Sequence, residues 1–563
     1  MTAHRISGIW GYLGFIVAAV VLAVPSTFAG VSLRNGNFYI GYKDLVYSGG
    51  FEPKIERVYN SKTGYRGAFG AGWGTEYEVH LSVSADGSVV VYEYGGGAEN
   101  RFTPVDFKRK DLEEAVARIV ERAKKIGGLT NAEKVAAYRE KLLADSFFRN
   151  DEWQKFIAQG ELKPRLLRSG TQLISNRFSY QYITKLNAGY RRTFDNGRIE
   201  EFNEEGKLAK VLDKNGNFIE LAYAKDGKLT KIEDNFHRRI LMHYNNQGLI
   251  SAVEGMNAKE AQYKYSGAGD LTESKDVEGN VYKFAYDKEH NLTEIAYSDG
   301  TRLRVAYFGR DKLQSVKSVT DRDGSTTEYD YLSSGPGQAR YKVGIRVLSK
   351  ENKLLSQSSY EYFNKVKASG EEWTQRMVAS QDGRVTDTTY NECCGLPTKI
   401  IRDRETTLFD YDAKGRVRKK ETPSEVTKLA YHPNFGKVVA VEKMSKRTKK
   451  VQWSKFEYDA KANLTGAKNS DKKAVVLVYD RNGRINSMLD QSTRRRIDFK
   501  YDENSKPIEI IDPKLGSIKV KYNASGEIMN VESDAGRKIA MEVTSSFQNL
   551  LDIIRPAGVT LSF

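Results

Sequence analysis

The residues of this chain that could do chemistry are few and scattered. Beyond the first thirty residues the histidines are His80, His237, His243, His290 and His432, and no two stand at a metal-ligand spacing. His237 and His243 lie six apart and read as structural residues of a strand and turn. Asp321-Arg322-Asp323-Gly324 resembles the opening of a calcium loop but lacks the third ligand pair and the distal glutamate, so it reads as a turn. There is no Gly-x-Ser-x-Gly elbow, phosphate loop or dinucleotide fingerprint. Carboxylate pairs suited to glycoside hydrolysis cannot be picked out by spacing among 73 acidic residues. No catalytic residue, metal or cofactor is expected.

Charge offers a binding chemistry instead. The chain carries a formal +16, and a basic exported protein meets acidic partners such as lipid head groups, anionic glycans or extracellular nucleic acid. Two basic runs stand out, Lys446, Arg447, Lys449 and Lys450 in one and Arg494, Arg495 and Arg496 in the other. Each reads either as a docking face for a polyanion or as a solvated sheet edge protected by cations. No nucleic-acid recognition module is visible. Export itself is expected from residues 1–29: Arg5, an apolar run from Phe15 to Val24, then Thr27-Phe28-Ala29 at the cleavage position. An uncleaved anchor is the competing reading, and no later segment is apolar enough to span a bilayer. In an exported chain the neighbouring Cys393 and Cys394 are expected to be oxidised, bonded to one another across a turn. A redox or copper site there would lack supporting histidine or methionine.

The elements that must position these groups follow a ruler. An aromatic recurs every 21 residues at Phe202, Tyr223, Tyr244, Tyr265, Tyr286 and Tyr307, and the series resumes with looser spacing at Tyr390, Tyr411, Tyr431, Tyr458, Tyr479, Tyr501 and Tyr522. Four residues later comes Gly206, Gly227, Gly248, Gly269, Gly415, Gly483 or Gly526, and six residues later an aliphatic such as Leu208, Ile250 or Val417. Asp or Asn commonly falls between, as at Asp287, Asp412 and Asp480. This is hairpin chemistry: the Asx side chain caps its own turn and glycine takes the positive-φ corner. Each unit is expected to be two short antiparallel strands, stacked on its neighbours with the aromatics in one core stripe.

Tyr411-Asp412-x-x-Gly415-x-Val417 and Tyr479-Asp480-x-x-Gly483-x-Ile485 resemble YD repeats, the unit of bacterial Rhs proteins and teneurins. Asn35-Gly36-Asn37, Asp44-Leu45, Ile55-Glu56-Arg57-Val58-Tyr59-Asn60-Ser61 and Gly67-x-Phe69-Gly70-x-Gly72-Trp73 resemble the domain that precedes the repeats in Rhs-type proteins. The resemblance implies an all-β fold: a curved or spiralling antiparallel YD-repeat sheet with an amino-terminal β domain. A small α-helical insertion is read directly from the helical periods of Asp111 to Lys125 and Asn131 to Ala144, with a third short helix near Trp153. It serves either as a cap on an exposed sheet end or as a plug or docking element.

The expected order is a signal peptide over 1–29, the β domain over 30–107, the helical insertion over 108–162 and a first repeat block over 163–330. Irregular repeats or an insertion follow over 331–389, then a second block over 390–563. Rhs-type effectors carry a self-cleavage motif and a toxin domain after the repeats; neither is seen in this sequence. About 30 strands at about 4.8 Å would span about 140 Å, short of the roughly 190 Å perimeter of a cocoon about 60 Å wide, so an open, curved or tightly coiled sheet is expected. The expected function is that of an exported, non-enzymatic scaffold or binding protein of the periplasm, cell surface or extracellular space. By resemblance, its partner would be an envelope polysaccharide or other anionic polymer, or a protein in a surface or secretion assembly. The alternative is a partial Rhs-type shell that encloses or delivers a partner toxin, with an apolar cavity face.

Overall fold

Each aromatic of the ruler marks a β-bulge. In the computed structural model the pairing register shifts between Ala222 and Tyr223, His243 and Tyr244, Lys264 and Tyr265, Ala285 and Tyr286, and Ala306 and Tyr307. It shifts likewise just before Phe202, Tyr390, Tyr411, Tyr431, Tyr458, Tyr479, Tyr501 and Tyr522. A bulge bends its strand and raises the local twist. One bulge in every repeat, in alternate hairpins, therefore curls the sheet steadily. The structure describes residues 28–47, 51–94, 98–127, 129–175, 181–257, 259–310, 314–334, 339–366, 372–503, 505–514, 516–522 and 528–533.

One antiparallel sheet runs from His80–Val83 to Ile528–Ser533, each strand paired with the next in sequence. The first strand touches the sheet again at a single bridge, His80 to Lys207, and no described pairing joins the last strand to the first. The sheet is therefore a coil rather than a closed cylinder. Its turns fall on two edges: an aromatic edge, where each repeat tyrosine leads into its Asx turn, and a far edge with the intervening turns. On winding round, the aromatic edge of the later strands meets the far edge of the earlier ones. Lys214 Nζ donates to the Ala462 carbonyl at 2.6 Å, Asn463 Nδ2 to Asn215 Oδ1 at 2.9 Å, and Asn217 Nδ2 to the Asn482 carbonyl at 3.0 Å. Between these turns lie 21 to 23 strands. At about 4.8 Å per strand the perimeter is about 105 Å and the coil about 34 Å across, backbone to backbone. It thus passes one full revolution, at about half the width supposed for a cocoon.

The first revolution is filled. Strands Phe28–Ser32, Asn37–Val46, Lys54–Asn60 and Trp73–Thr75 form a separate sheet that packs on the apolar face of the coil in one continuous core with Tyr263, Tyr282, Phe284, Leu292 and Val316. The amino-terminal segment touches the aromatic edge, where Ile250 donates to Ala68 and Val316 donates to Gly36, and Gly206 of that edge accepts from Leu81 of the coil's own first strand. The long sheet already includes His80–Val83, Val89–Glu93 and Ala98–Pro104, so it begins inside the segment 30–107 that the sequence suggests as a separate domain.

Helices α1 (Arg109–Lys125), α2 (Ala132–Ala144) and α3 (Ser146–Ala158) are inserted between two paired strands, Ala98–Pro104 and Gln172–Ser175. Gly127, with φ +80°, follows the end of α1, and Asn131 caps α2 by accepting from the Lys134 amide. The helices bury Val116, Ile119, Leu142, Trp153 and Phe156 in a small core of their own around Ala85. The described strands within 331–389 belong to the sheet; the ruler loses phase there because the strands lengthen, to thirteen residues in Leu354–Val366. The candidate signal segment lies almost wholly outside the described residues; its last two residues, Phe28 and Ala29, pair with Gly41 and Ile40.

Candidate functional site

The repeat tyrosines act as staples. In each case the hydroxyl donates to the main-chain carbonyl of the preceding repeat's aliphatic: Tyr223 to Leu208 at 2.7 Å, Tyr244 to Leu229 at 2.7 Å, Tyr265 to Ile250 at 2.7 Å, Tyr307 to Leu292 at 3.0 Å. In the second block Tyr411 reaches Pro397, Tyr431 Val417, Tyr458 Val438, Tyr479 Leu464 and Tyr501 Ile485. Tyr286 instead accepts from Trp73 Nε1 at 2.9 Å, Tyr390 lies near the Met377 sulfur, and Phe202 is simply buried. Tyr522 ends the strand Gly516–Tyr522. The following Asx residue closes the turn: Asp412 Oδ1 accepts from the Lys414 and Arg416 amides, each at 2.9 Å. Gly206, Gly227, Gly248, Gly269, Gly415 and Gly483 all have φ between +76° and +86°, where His290, Ala462 and Ser505 stand in for glycine elsewhere. Gly526 lies outside the described residues. These groups build and bend the sheet, and none is directed at a ligand.

Between the two ends of the coil, one arc of the same face is left half-covered. The core around the amino-terminal sheet reaches the strand Val316–Thr320, and a second core begins near Val441 and runs through Phe456, Leu477 and Ile497. Across the intervening strands the cross-strand partners are Tyr331 with Val343, Val343 with Tyr360, Tyr341 with Tyr362, Tyr362 with Met377, Met377 with Thr388, and Thr388 with Ile400. Tyr331, Tyr360, Tyr362, Met377 and Ile400 are only half-buried. Phe308, Tyr331, Tyr341 and Tyr362 follow one another at centroid distances of 6.0 to 6.3 Å. Tyr331 keeps a buried hydroxyl without a partner among the described residues. The other face of these strands is laced with ion pairs: Arg346 with Glu328 at 2.5 Å, Arg376 with Asp387 at 2.7 Å, and Arg418 with Asp410 at 2.6 Å. A face rich in tyrosine and short of cover, with Arg384 and Arg402 toward its far edge, backs onto a face that is charged and self-satisfied. These tyrosines fall where the ruler fails, and the only sequence signal for them is the i, i+2 spacing of Tyr329 with Tyr331 and Tyr360 with Tyr362, which sets each pair on one side of a strand.

The remaining residues singled out by sequence are dispersed. His80 stacks on Tyr92 at 4.8 Å, His243 meets Glu254, His290 lies between Asp270 and Arg66, and His432 stacks on Phe435. Among the described residues no cluster of three metal-ligating side chains forms. Asp321 to Gly324 make an ordinary far-edge turn, with Gly324 at φ +87°. Cys393 and Cys394 are bonded to each other in the turn that follows Tyr390. Lys446, Arg447, Lys449, Lys450 and Arg494 stand in far-edge turns, with Arg495 and Arg496 beginning the next strand. Lys446 pairs with Glu421, Arg495 with Asp512 and Arg496 with Asp498.

Sequence reasoning left unremarked the buried pair that fastens the amino-terminal sheet. Arg57 is fully buried, bonded through two nitrogens to Asp44 and at 3.0 Å to Ser274 of the coil, with Trp73 and Tyr263 rings over its guanidinium at 4.8 and 5.1 Å. Tyr263 also donates to Asp44 at 2.8 Å.

Residues 29–102 match the family described as a domain of unknown function (DUF6531), and residues 186–328 match the Teneurin YD-shell family. No curated protein matches the chain. Among solved structures, a crystal structure of TcdB2-TccC3-TEV is similar over 90% of this chain and 28% of its own, at 12% identity and a TM-score of 0.43. TcdB2-TccC3 without its hypervariable C-terminal region is similar over 94% and 29%, also at 12% and 0.43. A Tc holotoxin pore of Photorhabdus luminescens is similar over 88% and 29%, at 11% identity and 0.38. The chain spans less than a third of the length of these chains.

Proposed function

We infer that this chain, an Rhs/YD-repeat protein, is an exported shell whose coil holds an apolar segment of a partner polypeptide. The observation that carries this reading is the half-covered tyrosine arc between Tyr331 and Ile400, uncharged along its tyrosine row on the face it shares with the two cores and ion-paired on the other. Single exposed apolar residues need no explanation, but a contiguous uncharged row short of cover marks a binding surface. Width limits the occupant. Side chains about 5 Å deep on each wall leave at most about 24 Å, part of it taken by the amino-terminal sheet, so the arc has room for an extended chain or a single helix of about 10 to 12 Å but not for a folded domain. The contribution proposed for the arc is to hold and shield that segment. Export rests on the signal-like residues 1–29; no described helix is long and apolar enough to cross a membrane.

The test is position-specific photo-crosslinking in the native host. A photoreactive residue replaces Tyr362 or Ile400 on the tyrosine face, or Lys399 on the charged face. A discrete polypeptide adduct from the first two positions and not from the third is expected. No adduct, or equal adducts from both faces, overturns the reading. Sequencing the amino terminus of the chain recovered outside the cytoplasm tests export separately.

A further inference from the structure

Where the helical insertion joins the sheet, apolar side chains rather than charges face outward. Val105, Ile174 and Tyr182 are 64%, 48% and 42% exposed. They are contiguous: the Val105 amide donates to the Gln172 carbonyl at 3.0 Å, and Ile174 pairs with Thr103 on one side and Tyr182 on the other. The buried Leu173 and Ile183 alternate with them, so all three project from the side of the sheet opposite the core. The outward row continues through Thr193, Ile199, Leu212 and Phe218, all half-buried. In the next two repeats the positions of Leu212 and Phe218 are held by Glu233 and Arg239, then by Glu254 and Glu260. The apolar row is thus confined to the strands around the insertion.

A loop beside this row presents a further apolar side chain. Leu166 is 90% exposed, and both of its neighbours are tied down. Arg165 donates to the Ala85 carbonyl at 3.0 Å, and Leu167 packs against the core of the coil. The loop therefore holds Leu166 outward. Arg165 Nη2 also reaches Asp111 Oδ1 at 3.4 Å, while Asp111 Oδ2 accepts from the Lys108 amide at 2.9 Å, so the loop lies beside residues 105–111. The charge around these side chains has one sign. Residues 104–110 and 162–172 hold Lys108, Arg109, Lys110, Lys163, Arg165 and Arg168 against a single acid, Asp106. Arg109, Lys110 and Arg165 pair with Glu113, Glu114 and Asp111. Lys108, Lys163 and Arg168 are exposed and have no ion pair among the described residues.

We propose that this patch rests on the surface of an anionic lipid bilayer, with Leu166 and Val105 entering the head-group boundary and Lys108, Lys163 and Arg168 meeting lipid phosphates. Interfacial binding grows with the apolar area buried and with the attraction of cations to acidic lipids, and one signal alone holds a protein only marginally. Both signals stand together here. Tyr182 adds an amphipathic ring of the kind that settles at head-group level. A protein partner would be received in a groove, whereas these side chains stand out from a loop and from the convex face of the coil. The contact is peripheral, since no described helix is long and apolar enough to cross a bilayer. The proposal is independent of what the coil holds.

The test is flotation of the full-length chain with vesicles of mixed phosphatidylglycerol and phosphatidylcholine, against vesicles of phosphatidylcholine alone. All variants share residues 1–29, so any contribution of that segment is common to them. Binding preferred to the anionic vesicles is expected. It should weaken about tenfold or more in the apolar variant Val105→Ser, Leu166→Ser and in the charge variant Lys108→Gln, Lys163→Gln, Arg168→Gln. It should be unchanged in Lys225→Gln, Lys288→Gln, Lys317→Gln, which lowers the net charge equally elsewhere. Every position is exposed, so folding is spared. Because Cys393 and Cys394 are bonded to each other, a polarity-sensitive fluorophore can be placed on Leu166→Cys, where it should brighten on anionic vesicles, and on Lys317→Cys, where it should not. No preference for anionic vesicles, a loss in the charge variant without one in the apolar variant, equal loss in the control, or no response at position 166 overturns the proposal.

Discussion

A tyrosine that both fills a core and donates a hydrogen bond can be dissected with one atom. In Tyr479 the hydroxyl reaches the Leu464 carbonyl at 2.9 Å while the ring packs against the second core. Tyr479→Phe should cost about 1 kcal/mol, the net worth of one such bond, and Tyr479→Ala about 3 to 5 kcal/mol through the cavity it leaves. Repeat arrays unfold by parts, so the fitting measurement is hydrogen exchange resolved to the strand Leu464–Asn469. Faster exchange there in Tyr479→Phe, with distant repeats unchanged, is the expected outcome; identical exchange would mean that the staple contributes nothing. The staple also explains what the ruler did and did not disclose. The period, the turn glycines and the Asx residues are local features and are legible in the sequence. That the aromatic sits on a bulge, with its hydroxyl on the previous repeat, depends on register between neighbours, which the spacing alone does not state.

Among elements, the amino-terminal sheet is attached to the coil through a charge that cannot be left alone. Arg57 and Asp44 are both buried, and Ser274 and Tyr263 of the coil add hydrogen bonds to the pair, leaving Arg57 Nη1 without a partner among the described residues. Asp44→Asn strands a buried guanidinium and should cost about 3 to 5 kcal/mol, whereas the double change Asp44→Leu, Arg57→Met removes both charges and should be milder than either single change. Release of the amino-terminal sheet under limited proteolysis reads this out, and the idea fails if the double variant is the more labile. Here the sequence motif was visible but its reason was not. Gly36 and Gly70 are glycines because a Cβ would strike Ser315 or the Gly269 carbonyl of the coil, contacts made across some two hundred residues or more. Likewise the candidate arc is built of strands that lost the ruler's phase by growing longer, so the features that identify the repeats are the ones it lacks.

For the whole molecule, the seam between revolutions decides whether the coil is a spring or a tube. Winding beyond one turn follows from curvature, set by a bulge in every repeat; counting strands against an assumed width could not supply it. The seam itself is polar and sparse, and Lys214 is its most exposed weakness. Burial, with Lys437 nearby, lowers its ammonium to about 8, and burial lowers Lys437 in the same direction. A lysine whose folded pKa is depressed sheds its proton before the open form does. Between about pH 8 and the ordinary lysine range the open seam therefore binds more protons, and closure strengthens as pH rises through that window. Below it both forms are charged and the closed seam bears the full cost of burying the ammonium. Burial also raises the Asp195 carboxyl beside Lys437. Hydrogen exchange in the turns 213–217 and 459–463, corrected for its intrinsic pH dependence, should slow between pH 7 and 9, and Lys214→Met should remove most of that change. If protection falls with pH, or the variant keeps the full dependence, then the revolutions are held by something other than this seam, and the coil behaves as a rigid tube.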